Sequence, residues 1–164
     1  MSSSTKLQKS HIDTQYKAII KLPYQPGTLK AVSVDANGKE MAESTLRTSS
    51  EPASIRLTPD RKLINADGQD LAFIYVDVVD KDGNIVADAD IPVTVSVKGR
   101  ATLLAAASAN LKDLEPKTTP KVTTYKGKAI IVVRSGRKAG KAVISASMPK
   151  ENGSKSTSLT ITCK

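Results

Sequence analysis

The sequence predicts an all-β fold, and three observations carry that expectation. Apolar residues alternate with polar ones over short runs, most clearly at Ala72, Ile74, Val76 and Val78 and again at Val93, Val95 and Val97, the period of two that a half-buried strand imposes. Clusters rich in Gly, Asn, Asp and Pro punctuate these runs at intervals of roughly ten residues. No segment carries the 3.6-residue apolar period of an amphipathic helix. About seven short strands so spaced are the pattern of an immunoglobulin-like β-sandwich. Here that sandwich is expected to follow a few strands of an incomplete neighbouring β-sandwich.

Residues 1–14 are polar and rich in Ser and Lys, and are predicted to be disordered or a partial strand. Residues 15–48 read as the last strands of a preceding sandwich, with runs at Tyr16 to Leu22, Thr28 to Val34 and Lys39 to Thr48. Pro23-Tyr24-Gln25-Pro26-Gly27 is a turn, and Asp35-Ala36-Asn37-Gly38 is a hairpin signal. Such a meander buries too little to stand without a second layer, so partner strands are expected on its N-terminal side. Residues 49–52 have linker composition, which places the main module at 53–164.

Within that module Ile55 and Leu57 alternate with Ser54, Arg56 and Thr58 until Pro59 closes the run. The inward set Ala72, Ile74, Val76 and Val78 turns Tyr75 and Asp77 outward. Phe73 interrupts the polar outer face, which assigns it to an edge or to contact with another domain. Lys81-Asp82-Gly83-Asn84 turns the chain into the Val93 to Val97 run, and Pro92, lacking an amide donor, suits a strand start or an edge. Arg100 to Ala107 is a weaker strand whose alanines also permit a helical turn, and Asn110 to Pro120 reads as a long loop. Ala129 to Val133 is apolar on both faces, as in a central strand. Gly136-Arg137-Lys138-Ala139-Gly140 is a basic turn, Ala142, Ile144, Ala146 and Met148 alternate, Pro149 to Ser154 is a turn, and Leu159, Ile161 and Cys163 form the last strand.

Composition narrows the function classes. No run approaches the roughly 18 apolar residues that span a bilayer, so no membrane insertion is expected, and the N-terminus has no apolar segment that would direct export. The single cysteine, Cys163, has no partner for an internal disulfide or a cysteine-built zinc site. The net charge is +9 and unevenly spread: eight of eleven aspartates lie between Asp60 and Asp90, while Glu151 is the only acid among eleven basic residues from Pro116 onward. That polarity would steer an anionic partner. The few aromatics, however, are not interleaved with the basic residues as a nucleic-acid surface requires, so no nucleic-acid partner is expected.

No constellation for catalysis emerges. Glycoside hydrolysis needs two carboxyls facing each other across the scissile bond, and Glu40, Glu43, Glu51, Glu115 and Glu151 all stand in polar or turn-like surroundings. Asp80, Asp82, Asn84, Asp88 and Asp90 carry the hard oxygens that calcium prefers, but Gly83 directly follows Asp82 and Val78 occupies the first-ligand position of a helix-loop-helix site. A hairpin turn is the better account. His11, the only histidine, lies far from any nucleophile in the polar N-terminal stretch, and Cys163 reads as a strand residue. Tyr24, Tyr75 and Tyr125 are the candidates for stacking on a sugar, and each is read as a packing residue instead. Catalytic, ligand-binding and metal-ligating residues are therefore assigned to none, and no cofactor is expected.

Two motifs in order carry a family resemblance. Tyr24-Gln25-Pro26-Gly27-Thr28-Leu29-Lys30-Ala31-Val32, followed by Asn37-Gly38-Lys39-Glu40-Met41-Ala42 and Pro52-Ala53-Ser54-Ile55-Arg56-Leu57, precedes the segment Asp60-Arg61-Lys62-Leu63-Ile64-Asn65-Ala66-Asp67-Gly68-Gln69-Asp70-Leu71. Together with Tyr125-Lys126-Gly127-Lys128-Ala129, this resembles the C-terminal immunoglobulin-like accessory region of family 2 glycoside hydrolases, of the β-galactosidase type found in Bacteroides-like bacteria. The resemblance covers about Tyr16 to Met148. It implies that the catalytic barrel lies upstream, and none of its acid, base or nucleophile positions has a counterpart here. The family's Gly-Val-Asp-Asn-Gly-like turn is replaced by Leu104 to Asn110, so any docking role of that turn does not carry over.

The resemblance thus implies a noncatalytic accessory domain that packs against upstream domains of a glycosidase, spaces them, or supports oligomer contacts. The implied compartment is periplasmic or extracellular if the parent is exported. The alternative reading is a free-standing bacterial surface adhesion or carbohydrate-binding module, with a glycan as its partner.

Overall fold

The computed structural model of the chain describes residues 23–149 and 156–164. The expected strand at Tyr16 to Leu22, residues 1–14 and most of the Pro149 to Ser154 turn lie outside the described residues. Eleven strands run in the order β1 (Thr28–Val34), β2 (Glu40–Arg47), β3 (Ser54–Pro59), β4 (Leu63–Ile64), β5 (Leu71–Val79), β6 (Pro92–Gly99), β7 (Ala101–Ala107), β8 (Lys121–Thr123), β9 (Lys128–Ser135), β10 (Gly140–Ser147) and β11 (Ser156–Cys163). No helix occurs among the described residues, so none there is long and apolar enough to cross a membrane.

β1 and β2 form a two-stranded antiparallel hairpin. Asp35 makes its turn: the Asp35 Oδ1 accepts the amides of Asn37 at 2.8 Å and Lys39 at 2.9 Å, an Asx arrangement that mimics a backbone turn. Leu29 stands opposite Leu46 on one face, while Lys30 and Glu43 pair at 2.7 Å on the other. Every residue of both strands is exposed. A two-stranded ribbon of this kind is only marginally stable by itself.

The other nine strands build a sandwich. One sheet has the order β4-β11-β10-β6-β8 and the other the order β3-β5-β9-β7. Their inner faces interlock through Ile74, Val76 and Val78 of β5, Ile131 and Val133 of β9, Val93 and Val95 of β6, Ala142 and Ile144 of β10, and Ile161 of β11. Each fully buried Val or Ile removes enough apolar surface from water to contribute about 1.5–3 kcal/mol against leaving it exposed. Of the inward positions expected from alternation, Ile55, Ala72 to Val78, Val93 and Val95, Ala142 to Met148, and Ile161 with Cys163 are buried, while Leu57, Val97 and Leu159 are half-buried against the same core. β9 is interior to its sheet, between β5 and β7, as its apolar run predicts.

Where the chain crosses between sheets, backbone geometry decides the residue. Gly99 has φ +99°, and a Cβ there would sit 2.3 Å from the Lys141 carbonyl oxygen. Gly127 has φ +73°, and its Cβ would lie 2.3 Å from the Val86 oxygen. With Lys126 at φ 53°, it forms the two-residue turn that closes Tyr125 onto Lys128, the pair of positive φ values that a type I′ turn needs.

Several expectations change. β4 and β8 enlarge the sandwich from seven main strands to nine: β4 pairs in parallel with β11 through Leu63 and Ile64, and β8 adds Val122 to the core at the end of the Asn110 to Pro120 loop. Two- and three-residue strands carry too few alternations to register as a period. Arg100 to Ala107 resolves as a strand rather than a helical turn, since β7 pairs along β9 with a bulge between Leu103 and Ala105. Pro92 starts β6, but β6 is not an edge, because β8 covers it.

Candidate functional site

Carboxylates held by backbone amides are the first place to look for chemistry, and the buried Asp80, the half-buried Asp70 and the exposed Asp67 each serve a turn. Asp80 is 3% exposed and accepts the amides of Ser50 at 3.0 Å and of Asp82 and Asn84 at 2.9 Å each, together with the Asn84 side chain. Those bonds, led by the Ser50 amide, hold its pKa down at about 2. Of the Asp80 to Asp90 series, Asp80 to Asn84 make a tight turn between Val79 and Ile85, whereas Asp90 lies beyond it and accepts the Lys126 amide at 2.9 Å. The Asp67 carboxylate accepts the amides of Gln69 and Asp70, and Asp70 accepts the Asn65 amide and pairs with Arg61 at 2.6 Å. Both are held below the ordinary carboxylate range by these amide donors.

Lys117 pairs with Asp113, and Glu115 clamps the amide and hydroxyl of Thr123 at 2.9 and 2.7 Å. Cys163 is buried, with Sγ 3.3 Å from the Arg100 carbonyl oxygen. Among the described residues no group of three or more His, Cys, Asp and Glu is placed to hold a metal ion. His11 and Glu151 lie outside the described residues.

What remains is the outer face of the β3-β5-β9-β7 sheet, and strand register sets out its rows. Arg56, Asp77 and Lys128 stand side by side in one row. The next holds Thr58, Tyr75, Ile130 and Ala107, and the one after it Phe73, Val132 and Ala105. A fourth row carries Leu71, Arg134 and Thr102. Because side chains alternate across a strand, these residues share the face opposite the core.

Asp77 does lie on the outward face as expected, but it is only 8% exposed, because its neighbours cover it. Arg56 reaches Oδ2 from Nη2 at 3.0 Å and from Nε at 3.3 Å, and Lys128 Nζ reaches Oδ1 at 3.1 Å. Arg56 also donates to the Gly83 carbonyl at 3.1 Å, tying the row to the β5–β6 turn. Two cations around one carboxylate leave the row with one net positive charge. Beside it Tyr75 is 51% exposed, and the hollow of about 400 Å³ between them is lined by Arg56, Thr58, Tyr75, Asp77, Lys128 and Ala129.

The tyrosines therefore divide. Tyr125 is half-buried beneath the Lys126 ammonium, 5.5 Å from its ring centre, whereas Tyr24 is 79% exposed and Tyr75 half exposed, so neither of the latter packs into the core of the described residues. Phe73, 38% exposed on the same face, lies on β5, an interior strand, and so does not cover an edge. The charged row was not singled out in the sequence. Its one signal is Asp77 inside an otherwise apolar run, and naming its partners requires the strand register.

Comparison with known proteins agrees with this geometry. Residues 55–157 match the family described as glycoside hydrolase family 2 C-terminal domain 5. The chain is 36% identical over 126 residues to the β-galactosidase BoGH2A of Bacteroides ovatus, covering 77% of this chain and 15% of that protein. It is 33% identical over 110 residues to a β-galactosidase of Thermoanaerobacter pseudethanolicus, covering 67% of this chain and 13% of that one. Among solved structures, a glycosyl hydrolase family 2 member from Bacteroides cellulosilyticus superposes with a TM-score of 0.86 at 33% identity, over 96% of this chain and 20% of its own. The chain thus spans about a seventh of the length of the curated relatives it matches. With residues 55–157 matched by that one C-terminal domain, the chain belongs to glycoside hydrolase family 2 C-terminal domain 5.

Proposed function

We propose that the chain is a noncatalytic accessory domain of a β-galactosidase-type glycoside hydrolase, acting by packing, spacing or oligomer contacts within carbohydrate degradation. The single observation that carries this reading is the match of residues 55–157 to a C-terminal domain that makes up a small part of much longer relatives. The saturation of Asp67, Asp70 and Asp80 by amide donors supports it. A general acid needs a raised pKa, and these three carboxyls are lowered.

In the same proposal residues 15–48 close a preceding sandwich, 49–52 link the two, and 53–164 form the accessory domain. The exposure of β1 and β2 on both faces supports the first of these. If the parent is exported, it would act in the periplasm or outside the cell, which fractionation of the native producer would test.

The deciding measurement is hydrolysis of an aryl β-galactoside by the purified 164-residue chain and by the full product of its gene. Turnover is expected only from the latter. Enzyme-like turnover by the short chain would overturn the reading.

A further inference from the structure

We propose that the outer face of the β3-β5-β9-β7 sheet is a docking surface for another domain of the same polypeptide, one with an apolar centre and a carboxylate that meets the Arg56–Asp77–Lys128 row. The inference rests on the accessory-domain reading and adds to it the face that docks and the chemistry it meets. Phe73, Tyr75, Ile130 and Val132 form a contiguous apolar centre with no charged side chain among them. The Arg56–Asp77–Lys128 row bounds one end with a net positive charge, and a balanced set of Arg134, Arg61, Asp60 and Asp70 bounds the other. An apolar centre inside a polar rim is the anatomy of a protein interface.

Area selects the occupant. With strands about 4.8 Å apart and same-face residues about 7 Å apart, four strands by four rows span roughly 400 Å². That falls short of the roughly 800 Å² per partner that holds a freely associating complex together. It suits the total of about 600–1,500 Å² typical of contacts between domains of one chain, where the tether supplies the effective concentration.

Charge adds a constraint at one end. A carboxylate facing the Arg56–Asp77–Lys128 row would answer its net positive charge, whereas at the other end Arg134 and Arg61 are balanced by Asp60 and Asp70. A glycan would find hydrogen-bonding groups beside the Tyr75 ring in Arg56, Thr58, Asp77 and Lys128, but the Phe73, Ile130 and Val132 side chains offer none, which favours a protein surface over a sugar across the whole face.

The test is hydroxyl-radical footprinting of Phe73 and Tyr75, in the 164-residue chain and in the full gene product at equal concentration. Labelling of both rings is expected to fall about fivefold or more in the full product, as for side chains at a dry interface centre. The double variant Tyr75→Glu, Val132→Glu should restore Phe73 labelling there, and Val143→Glu on the opposite sheet should not. Equal labelling in the two proteins overturns the proposal while leaving the accessory-domain reading intact. Protection that grows with concentration of the short chain identifies a second copy, and protection of the short chain by added galacto-oligosaccharide identifies a glycan; either overturns it. A gene product with no further domain removes the accessory-domain reading and this proposal together.

Discussion

The amide of Ser50 donates to the Asp80 carboxylate at 3.0 Å, joining residues thirty positions apart. Sequence composition marks Ser50 as part of a linker. The structure ties it to a buried acid whose other bonds build the β5–β6 turn, so the approach to the sandwich is fixed by the same group that shapes a hairpin.

That bond gives a pH dependence. Asp80 has its pKa lowered from 3.8 to about 2 on folding, chiefly by the Ser50 amide. A carboxyl depressed in the folded state contributes stability that is fully present above its unfolded value and is lost as pH falls through the folded one. The contribution should therefore hold above about pH 4 and fade toward pH 2. Chemical denaturation from pH 6 to 2 should show an acid-side loss that is shallower in Asp80→Asn; an unchanged slope would mean other carboxyls dominate.

Thr124 is buried, and its hydroxyl accepts the Ile91 amide at 2.8 Å while donating to the Ala89 carbonyl at 2.7 Å. Thr124→Val keeps the shape and leaves the Ile91 amide without an acceptor. The expected cost is about 1–3 kcal/mol. Urea midpoints with an unchanged m-value would measure it, whereas a loss under about 0.5 kcal/mol would mean that water replaces the hydroxyl.

Gly83 and Gly127 both have positive φ, +82° and +73°, but only at Gly127 would a Cβ meet backbone, 2.3 Å from the Val86 oxygen. Gly83→Ala should cost about 1 kcal/mol from conformation alone. Gly127→Ala should cost about 3 kcal/mol or more, since strain and a clash act together. Thermal melts of the two variants should rank in that order, and the reverse order would show that the Val86 segment yields.

Ile131 is fully buried at the centre of the sandwich. Ile131→Ala should destabilise by about 3–4 kcal/mol through lost burial and the cavity left behind. Val132→Ala, on the outer face of the same strand, should cost under about 1.5 kcal/mol in the isolated chain. Equal losses would contradict the assignment of inner and outer faces.

The strand faces were legible in the sequence because a period of two is a local property: Ala72, Ile74, Val76 and Val78 declare their burial without reference to any other strand. The turns were legible for a related reason, since Asp35 and Asp80 make Asx bonds within a few residues of themselves. The order of the motifs around Gly27 and Gly68 identified the family, and the match over residues 55–157 agrees with it.

Tertiary structure alone decided what depends on which strands become neighbours. β4 is a strand only because β11 lies beside it, and Thr124 is a structural hub only because Ala89 and Ile91 fold over it. Asp77 stands outward by pattern yet is buried, because register sets Arg56 on one side and Lys128 on the other, 21 and 51 residues away. Alternation is written along the chain, whereas register and sheet order arise from long-range pairing, so the sequence determined a sandwich and the fold determined the face it presents.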